Sequence, residues 1–346
     1  MFKKLLALLL SVITLMCVFN ACGTDVPKGS ESTASAAPTE PEAEAKVLKV
    51  LTLGHSLAVD SCHMINLIAA TEGTGQYDEI VIGTLYYSGC KLSQHVQFLR
   101  ADSPEYHLYL SSTKTPGQPP KIMENVTMYN AIKHDYWDII VMQGGGGGEN
   151  TDPSKNITTD IRTIQSYVNE HKLNPLATFA WHMSWSLPAD EALLDMYPYS
   201  PNAHKETMRK FGFSRENYYN ALIQVIETTI ITDETFRLLI PSGTAMQNAW
   251  SSYMEDKDIH RDYGHANDVG RAMTAYVWYC KLLGIEHLDE LKLDAIPQAF
   301  LKSTADKTQD RVLTEMEKAV MLESINNALA DPLRMTQSQY TEAPTQ

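Results

Sequence analysis

Cysteine is scarce in this chain, with five in 346 residues. Cys17 and Cys22 fall near the start, leaving Cys62, Cys90 and Cys280 for the rest. Three thiols cannot all pair, and none stands at metal-ligand spacing. This argues against a disulfide-held scaffold and gives a zinc-type site no support. Positive charge is short as well: 28 Lys and Arg stand against 42 Asp and Glu, a net charge of −14 with no basic cluster. Nucleic acid and anionic lipid are poor partners for such a surface. Residues 23–46, GTDVPKGSESTASAAPTEPEAEAK, have no aromatic and almost no large aliphatic side chain. Such a tract cannot bury enough apolar area to offset its ordering entropy, and reads as a flexible tether. No internal repeat is visible.

What is present begins with MFKK, two positive charges, followed by the short apolar run LLALLLSVITLMCVF and then FNAC. That layout is a secretory signal. Cys22, directly after Ala21, resembles the lipobox of bacterial lipoproteins, in which the cysteine carries the lipid. The expected organisation is a signal at 1–22, a tether at 23–46, one domain at 47–333 and a flexible tail at 334–346. The expected location is extracytoplasmic, at the cell surface or in the periplasm, with membrane contact only through a lipid at Cys22.

About 300 residues suit one large α/β domain. β-rich runs at 47–53, 79–87, 137–143, 176–182 and 237–241 alternate with helical spacing near 58–72, 91–101, 157–170 and 215–231. Further helices are expected near 268–283 and 312–329. Strands separated by helices imply βαβ units, a mostly parallel five-stranded sheet and helices on both faces. Residues 103–135 interrupt the rhythm as a hairpin around KTPGQPPK, closed by the short helical piece TMYNAIKH. Residues 183–213 are a second irregular stretch. In such sheets, ligands bind beyond the carboxyl ends of the strands.

The residues there carry chemistry. Gly54-His55-Ser56 ends the first strand, where Ser56 is either a helix cap or an exposed nucleophile whose backbone N–H faces an anion. Gly89, in YYSGCKLSQH, is a turn glycine or a backbone donor. The third strand ends VMQGGGGGEN, placing Gln143 and Gly144 before a costly glycine run. A phosphate-binding loop is excluded there, because the required Lys-Ser/Thr pair is missing. Asp262 and His265, in RDYGH, stand three apart, a spacing that brings a carboxylate to one imidazole nitrogen and fixes the tautomer. Each alone has a commoner, structural meaning. In chain order they supply nucleophile, oxyanion donors, orienter and base.

That order, with LTLGHS, LYYSGCKLSQH, WDIIVMQGG, LLIPSGTAMQNAW and RDYGHANDVGRAMTAYVWY, resembles the SGNH (GDSL-type) hydrolases, and within them the DUF4886 branch of secreted bacterial proteins, over residues 47–285. The resemblance implies a three-layer α/β/α flavodoxin-like fold and ester hydrolysis, commonly deacylation of carbohydrate. It implies Ser56 as nucleophile, His265 as base and Asp262 as its orienter. The oxyanion hole would use the N–H groups of Ser56 and Gly89, with Gln143-Gly144 in place of the usual G-x-N-D block. His55 replaces the usual Asp or Asn before the nucleophile.

Of the other side chains, His55 either tunes the nucleophile or bonds to a loop carbonyl. His63 reads as structural, and His95 as supporting the site or packing. His182, in AWHMSW, is the foremost expected substrate contact, and Trp181, Trp185 and Tyr197 could stack on a sugar, although aromatics there more often cover the sheet. Cys62 and Cys90 read as buried thiols. No cofactor is needed for such chemistry. The alternatives are a non-catalytic surface lipoprotein binding glycan in the same cleft, or a lipase or thioesterase.

Overall fold

The apolar run 47–54 offers no polar face to water, and it forms the strand most deeply enclosed in the sheet, with its last five residues buried. In the computed structural model, residues 45–145, 148–196, 202–296 and 311–343 are described. The chain divides into Met1–Ala43 and Glu44–Gln346. The signal segment with Cys22, and all but the last two residues of the tether, lie outside the described residues.

The strands are β1 (Val47–Gly54), β2 (Glu79–Tyr86), β3 (Tyr106–Ser112), β4 (Lys121–Val126), β5 (Ile139–Met142), β6 (Thr178–His182) and β7 (Phe236–Ile240). They form one sheet in the order β4-β3-β2-β1-β5-β6-β7. β2, β1, β5, β6 and β7 run parallel, and their sequence order is that of a flavodoxin-like fold. The sheet therefore has seven strands, not the expected five. The hairpin at 103–135 does not stand apart: β3 pairs antiparallel with β2 from Val81↔Ser112 to Tyr86↔His107. It satisfies an edge that the parallel strands leave open.

The helices are α1 (Ser56–Cys62), α2 (Ile65–Glu72), α3 (Leu92–Ala101), α4 (Met128–Lys133), α5 (Thr158–His171) and α6 (Glu191–Leu194). They continue with α7 (Ala203–Lys210), α8 (Arg215–Val225), α9 (Ser242–Ala249), α10 (Asp256–Ile259), α11 (Asp268–Leu283) and α12 (Glu315–Ala330). Side chains of α1, α2, α9, α11 and α12 fill one core with Leu48, Val50, Ile80 and Ile82. Those of α3, α4, α5 and α8 fill the other with Leu51, Leu53 and Leu85. Alternate residues of β1 and β2 thus serve opposite faces, which makes the third layer necessary.

α9 was not expected. All eight of its residues are buried, so it has no polar face and no amphipathic period to betray it. Residues of the expected flexible tail lie against it and the turn that follows: Thr336 N–H donates to Asn248 Oδ1 at 2.8 Å, and beyond the helix Tyr253 N–H donates to Tyr340 O at 2.8 Å. Among the described residues no helix is long and apolar enough to cross a membrane.

Candidate active site

β1 ends at Gly54, and α1 begins two residues later at Ser56, so the serine sits half-buried at the carboxyl edge of the sheet. His55 makes this turn. Its Nδ1 accepts from Leu57 N–H at 3.4 Å, which leaves Nε2 to donate to Gly144 O at 3.1 Å. Burial pushes the imidazole down to about 4, against the pull of the Gly144 carbonyl. His55 is therefore neutral, caps α1 and ties the first strand loop to the third.

The loop after β5 comes very close to the loop after β2. A methyl on Gly145 would lie 2.3 Å from Cys90 O and 2.7 Å from Lys91 Cα, both backbone atoms. That approach explains why glycine follows Gln143-Gly144 here. Glu149, buried, accepts from both Gly145 N–H and Leu92 N–H at 2.9 Å and clamps the two loops. Asn150 donates to Gly144 O at 3.1 Å and to Ser184 Oγ at 3.2 Å, extending the chain of contacts to the β6 loop. Gln143 is fully buried beneath the turn, its Oε1 3.5 Å from His55 N and its Nε2 without a partner among the described residues. Gly89 is exposed at φ +59° in the adjoining loop.

On the other side stands the Asp262–His265 pair. His265 Nδ1 lies 2.9 and 3.0 Å from the two Asp262 oxygens. Asp262 Oδ1 also accepts from His265 N–H at 2.9 Å and from Gly264 N–H at 3.2 Å. Burial would raise the carboxyl, but the bonds and charge of His265, with Arg261 beyond, hold it below its ordinary value. An ionised carboxylate only accepts, so Nδ1 carries the proton and Nε2 is left as the basic nitrogen. Tyr263 stands edge-on to His265 at 5.0 Å, and His204 of α7 stands edge-on to Tyr263 at 5.1 Å.

The turn bearing this pair is tied to the helix bearing Ser56. Asp60, one turn further along α1 and 1% exposed, accepts from Arg271 of α11, from Arg261 and from Ala266 N–H. Paired with these arginines, against the cost of burial, its carboxyl stays at about 2. Asp60 and Arg271 escaped the sequence reading, although each is a charge on an otherwise apolar helix face, which is the readable mark of a buried pair.

Several expected contacts lie elsewhere. His182, the foremost expected substrate contact, is 1% exposed and packed edge-on against Trp278 at 5.0 Å. Its residue ends β6 and turns into the core, and burial pushes its imidazole down to about 3. Trp181 and Trp185 are buried in opposite cores rather than open to a sugar, and Tyr197 lies outside the described residues. His95 is buried, with its Nδ1 2.8 Å from Tyr106 OH. Cys62 and Cys90 are buried free thiols, and burial pushes Cys62 up to about 12.

On the hairpin side stand several half-exposed aromatics. Tyr86 pairs in register with Gly54 and His107, and its ring meets those of Tyr109 at 5.6 Å and His107 at 6.4 Å. His63, the cap residue at the end of α1, reaches Tyr109 at 6.4 Å. Among the described residues no group of His, Cys, Asp and Glu is arranged to hold a metal ion.

A family model described as a domain of unknown function, DUF4886, matches residues 49–299. No curated protein matches the chain. Among solved structures, a DUF4886 family protein from Bacteroides uniformis shares the fold, with a TM-score of 0.62 and 18% identity over 86% of this chain and 100% of its own. A candidate SGNH hydrolase from Slackia heliotrinireducens gives a TM-score of 0.41 at 14% identity, over 68% and 99% of the two chains. A catalytic mutant of an acetylxylan esterase from Geobacillus stearothermophilus gives 0.36 at 12%, over 68% and 94%. These two likenesses are too loose to carry an argument. The match over residues 49–299 does: this chain belongs to the DUF4886 family.

Proposed function

We propose that the protein is a serine esterase of SGNH type that works through an acyl-enzyme. The observation that carries this reading is the Asp262–His265 pair: a carboxylate held by two backbone N–H groups fixes Nδ1–H and leaves Nε2 basic. Ser56 Oγ attacks the ester carbonyl while its proton passes to His265 Nε2. The N–H groups of Ser56 and Gly89 receive the developing oxyanion, while Gln143, fully buried beneath the turn, supports it from below rather than facing substrate. The tetrahedral intermediate collapses, the carbonyl–alkoxide bond breaks, and His265 protonates the leaving alcohol. Water then attacks the acyl group, gives its proton to His265, and the acid departs as Ser56 recovers its own.

The favoured substrate is an acylated carbohydrate met outside the cytoplasm, with the chain held at a membrane by lipid on Cys22. Support for a ring-shaped alcohol comes from Tyr86, His107 and Tyr109, which bring half-exposed aromatic faces and hydrogen-bonding tips to the sheet edge beside Gly54. Labelling the purified protein with a fluorophosphonate tests the reading. The expected result is one adduct, on Ser56, lost in Ser56→Ala and strongly slowed in His265→Ala. An unlabelled parent protein that also fails to hydrolyse p-nitrophenyl acetate would leave a glycan-binding protein as the better reading.

A further inference from the structure

We infer that Asp60 is a positioning residue that sets the base turn, and with it His265, against the nucleophile Ser56; the inference rests on the esterase reading above.

Asp60 lies four residues after Ser56, so the two share one face of α1, a turn apart. A carboxylate buried to 1% exposure survives only when its oxygens are met by donors. Among the described residues, its donors come from the far end of the chain, more than 200 residues away. Arg271 gives Nε at 2.8 Å and Nη2 at 2.6 Å to Oδ1, Ala266 N–H gives 3.0 Å to Oδ2, and Arg261 Nη1 lies 3.1 and 3.2 Å from the two oxygens. Arg261 directly precedes Asp262, and Ala266 directly follows His265. The carboxylate therefore grips both flanks of the Asp-x-x-His turn at once.

The turn is closed on itself as well. Arg261 N–H donates to His265 O at 3.0 Å, Arg261 Nη1 donates to Ala266 O, and His260 bridges Ala266 across the base. It can thus move only as a unit, and Asp60 is what fixes that unit to α1. The charges also match: Asp60 and Asp262 stand against Arg261 and Arg271, with Arg261 Nε 3.8 Å from Asp262. A buried ion pair adds little net stability compared with apolar residues of the same shape, and its better-attested use is to fix one geometry. Here the geometry fixed is that between nucleophile and base, where a misplacement of about 1 Å costs on the order of a hundredfold in rate.

The test is a cycle of Asp60→Asn and His265→Ala, with Ser56→Ala as the zero, reading kcat and KM for p-nitrophenyl acetate. Asp60→Asn is expected to lower kcat by on the order of a hundredfold with KM little changed. In the His265→Ala background the same substitution is expected to cost nothing further, because the group it positions is gone. Arg261→Gln provides a milder variant should Asp60→Asn fold poorly. It leaves the Asp60–Arg271 pair in place and is expected to lower kcat by roughly tenfold, with a smaller fall in melting temperature than Asp60→Asn. A wild-type kcat in both Asp60→Asn and Arg261→Gln overturns the inference, as does an Asp60→Asn loss that is equally large without His265. If His265→Ala and Ser56→Ala themselves keep full activity, the esterase reading falls first and the inference falls with it.

Discussion

The two sides of the Gly54-His55-Ser56 turn are held by opposite means. Towards β5 and β6 no ion pair is involved: His55 bonds Gly144, Asn150 bonds Gly144 and Ser184, the Glu149 carboxylate accepts only from backbone N–H groups, and backbone presses on backbone at Gly145. Towards α11 the contacts are ionic, centred on Asp60 with Arg261 and Arg271. The neutral side has no room for added atoms and no tolerance for added protons. The Asp60 ion pairs tolerate acid but not the loss of one partner, while His260, at the base of the same turn, is as intolerant of a proton as the neutral side. The proposed reaction would need both, drawing its oxyanion donors from one side and its base from the other.

Acid separates them most strongly. Burial pushes His55 down to about 4, and His95, His182 and His260 each to about 3. An unfolded histidine takes its proton near pH 6.5, so between there and pH 4 the unfolded chain binds protons the folded one refuses, and stability falls as pH falls. Four such groups give a slope approaching about 5 kcal/mol per pH unit once the unfolded histidines are charged. Asp60 behaves in the other sense. Its carboxyl is held at about 2, so its contribution is complete above its ordinary value near 3.8 and is lost only as pH falls towards 2. Denaturant midpoints at pH 7, 6 and 5 should therefore drop steeply, and more shallowly in His182→Gln. A flat profile over that range would show that these imidazoles are not held neutral.

Loss of one ionic partner comes next. Arg271→Met leaves the Asp60 carboxylate buried with one arginine and one N–H, and should lower stability by about 3 kcal/mol. Combining it with Asp60→Leu should restore much of that loss, while leaving ester hydrolysis slow. Recovery of the rate along with the stability would mean that the pair merely holds the fold together.

Added atoms on the neutral side follow. Gly145→Ala drives a methyl into the Cys90 carbonyl, where only backbone movement can relieve it, and should lower stability by about 2–3 kcal/mol and displace the loop carrying Gly89. Gly89→Ala is its control: nothing lies within 4 Å of the added methyl, and the φ of +59° alone should cost about 1 kcal/mol. Equal losses in urea titrations would contradict the close approach. His55→Asn should cost less than Gly145→Ala, about 1 kcal/mol, because Gly144 O keeps its bond from Asn150. It should also flatten the acid slope, since one of the four buried imidazoles is gone.

This contrast explains what could be read from the sequence and what could not. The five parallel strands and the pieces at their ends were legible because burial on both faces writes continuous apolar runs, and because Asp-x-x-His closes over three residues. Asp60 with Arg271 was not read: each is a charge on an apolar helix face, but nothing local says which charge, 211 residues away, it pairs with. His182 was expected to face a ligand and lies in the core, because a strand end can turn its side chain either way and composition does not say which; the tryptophans beside it cover the sheet, the commoner of the two readings open to them. The hairpin was recognised but not its place: antiparallel pairing to β2 is a choice among edges, and β3 carries no mark naming its partner.

That placement is what brings the smallest of the expected effects within reach. β3 alternates Leu108 and Leu110 into one core with His107 and Tyr109 on the face of α1, so the hairpin presents its half-exposed rings beside the nucleophile turn without contributing them to either core. Tyr109→Ala should therefore leave the melting temperature nearly unchanged. Its ring meets Tyr86, His107 and His63, and removing it opens the middle of that group. A pyranose stacked there loses on the order of 1 kcal/mol, a several-fold rise in KM for an acetylated oligosaccharide. p-Nitrophenyl acetate does not reach from the Ser56 carbonyl across two strands, and its KM should stay as in the parent. Equal changes for both substrates would place the effect on the turn at Ser56 rather than on a sugar, and would remove the hairpin from the binding surface.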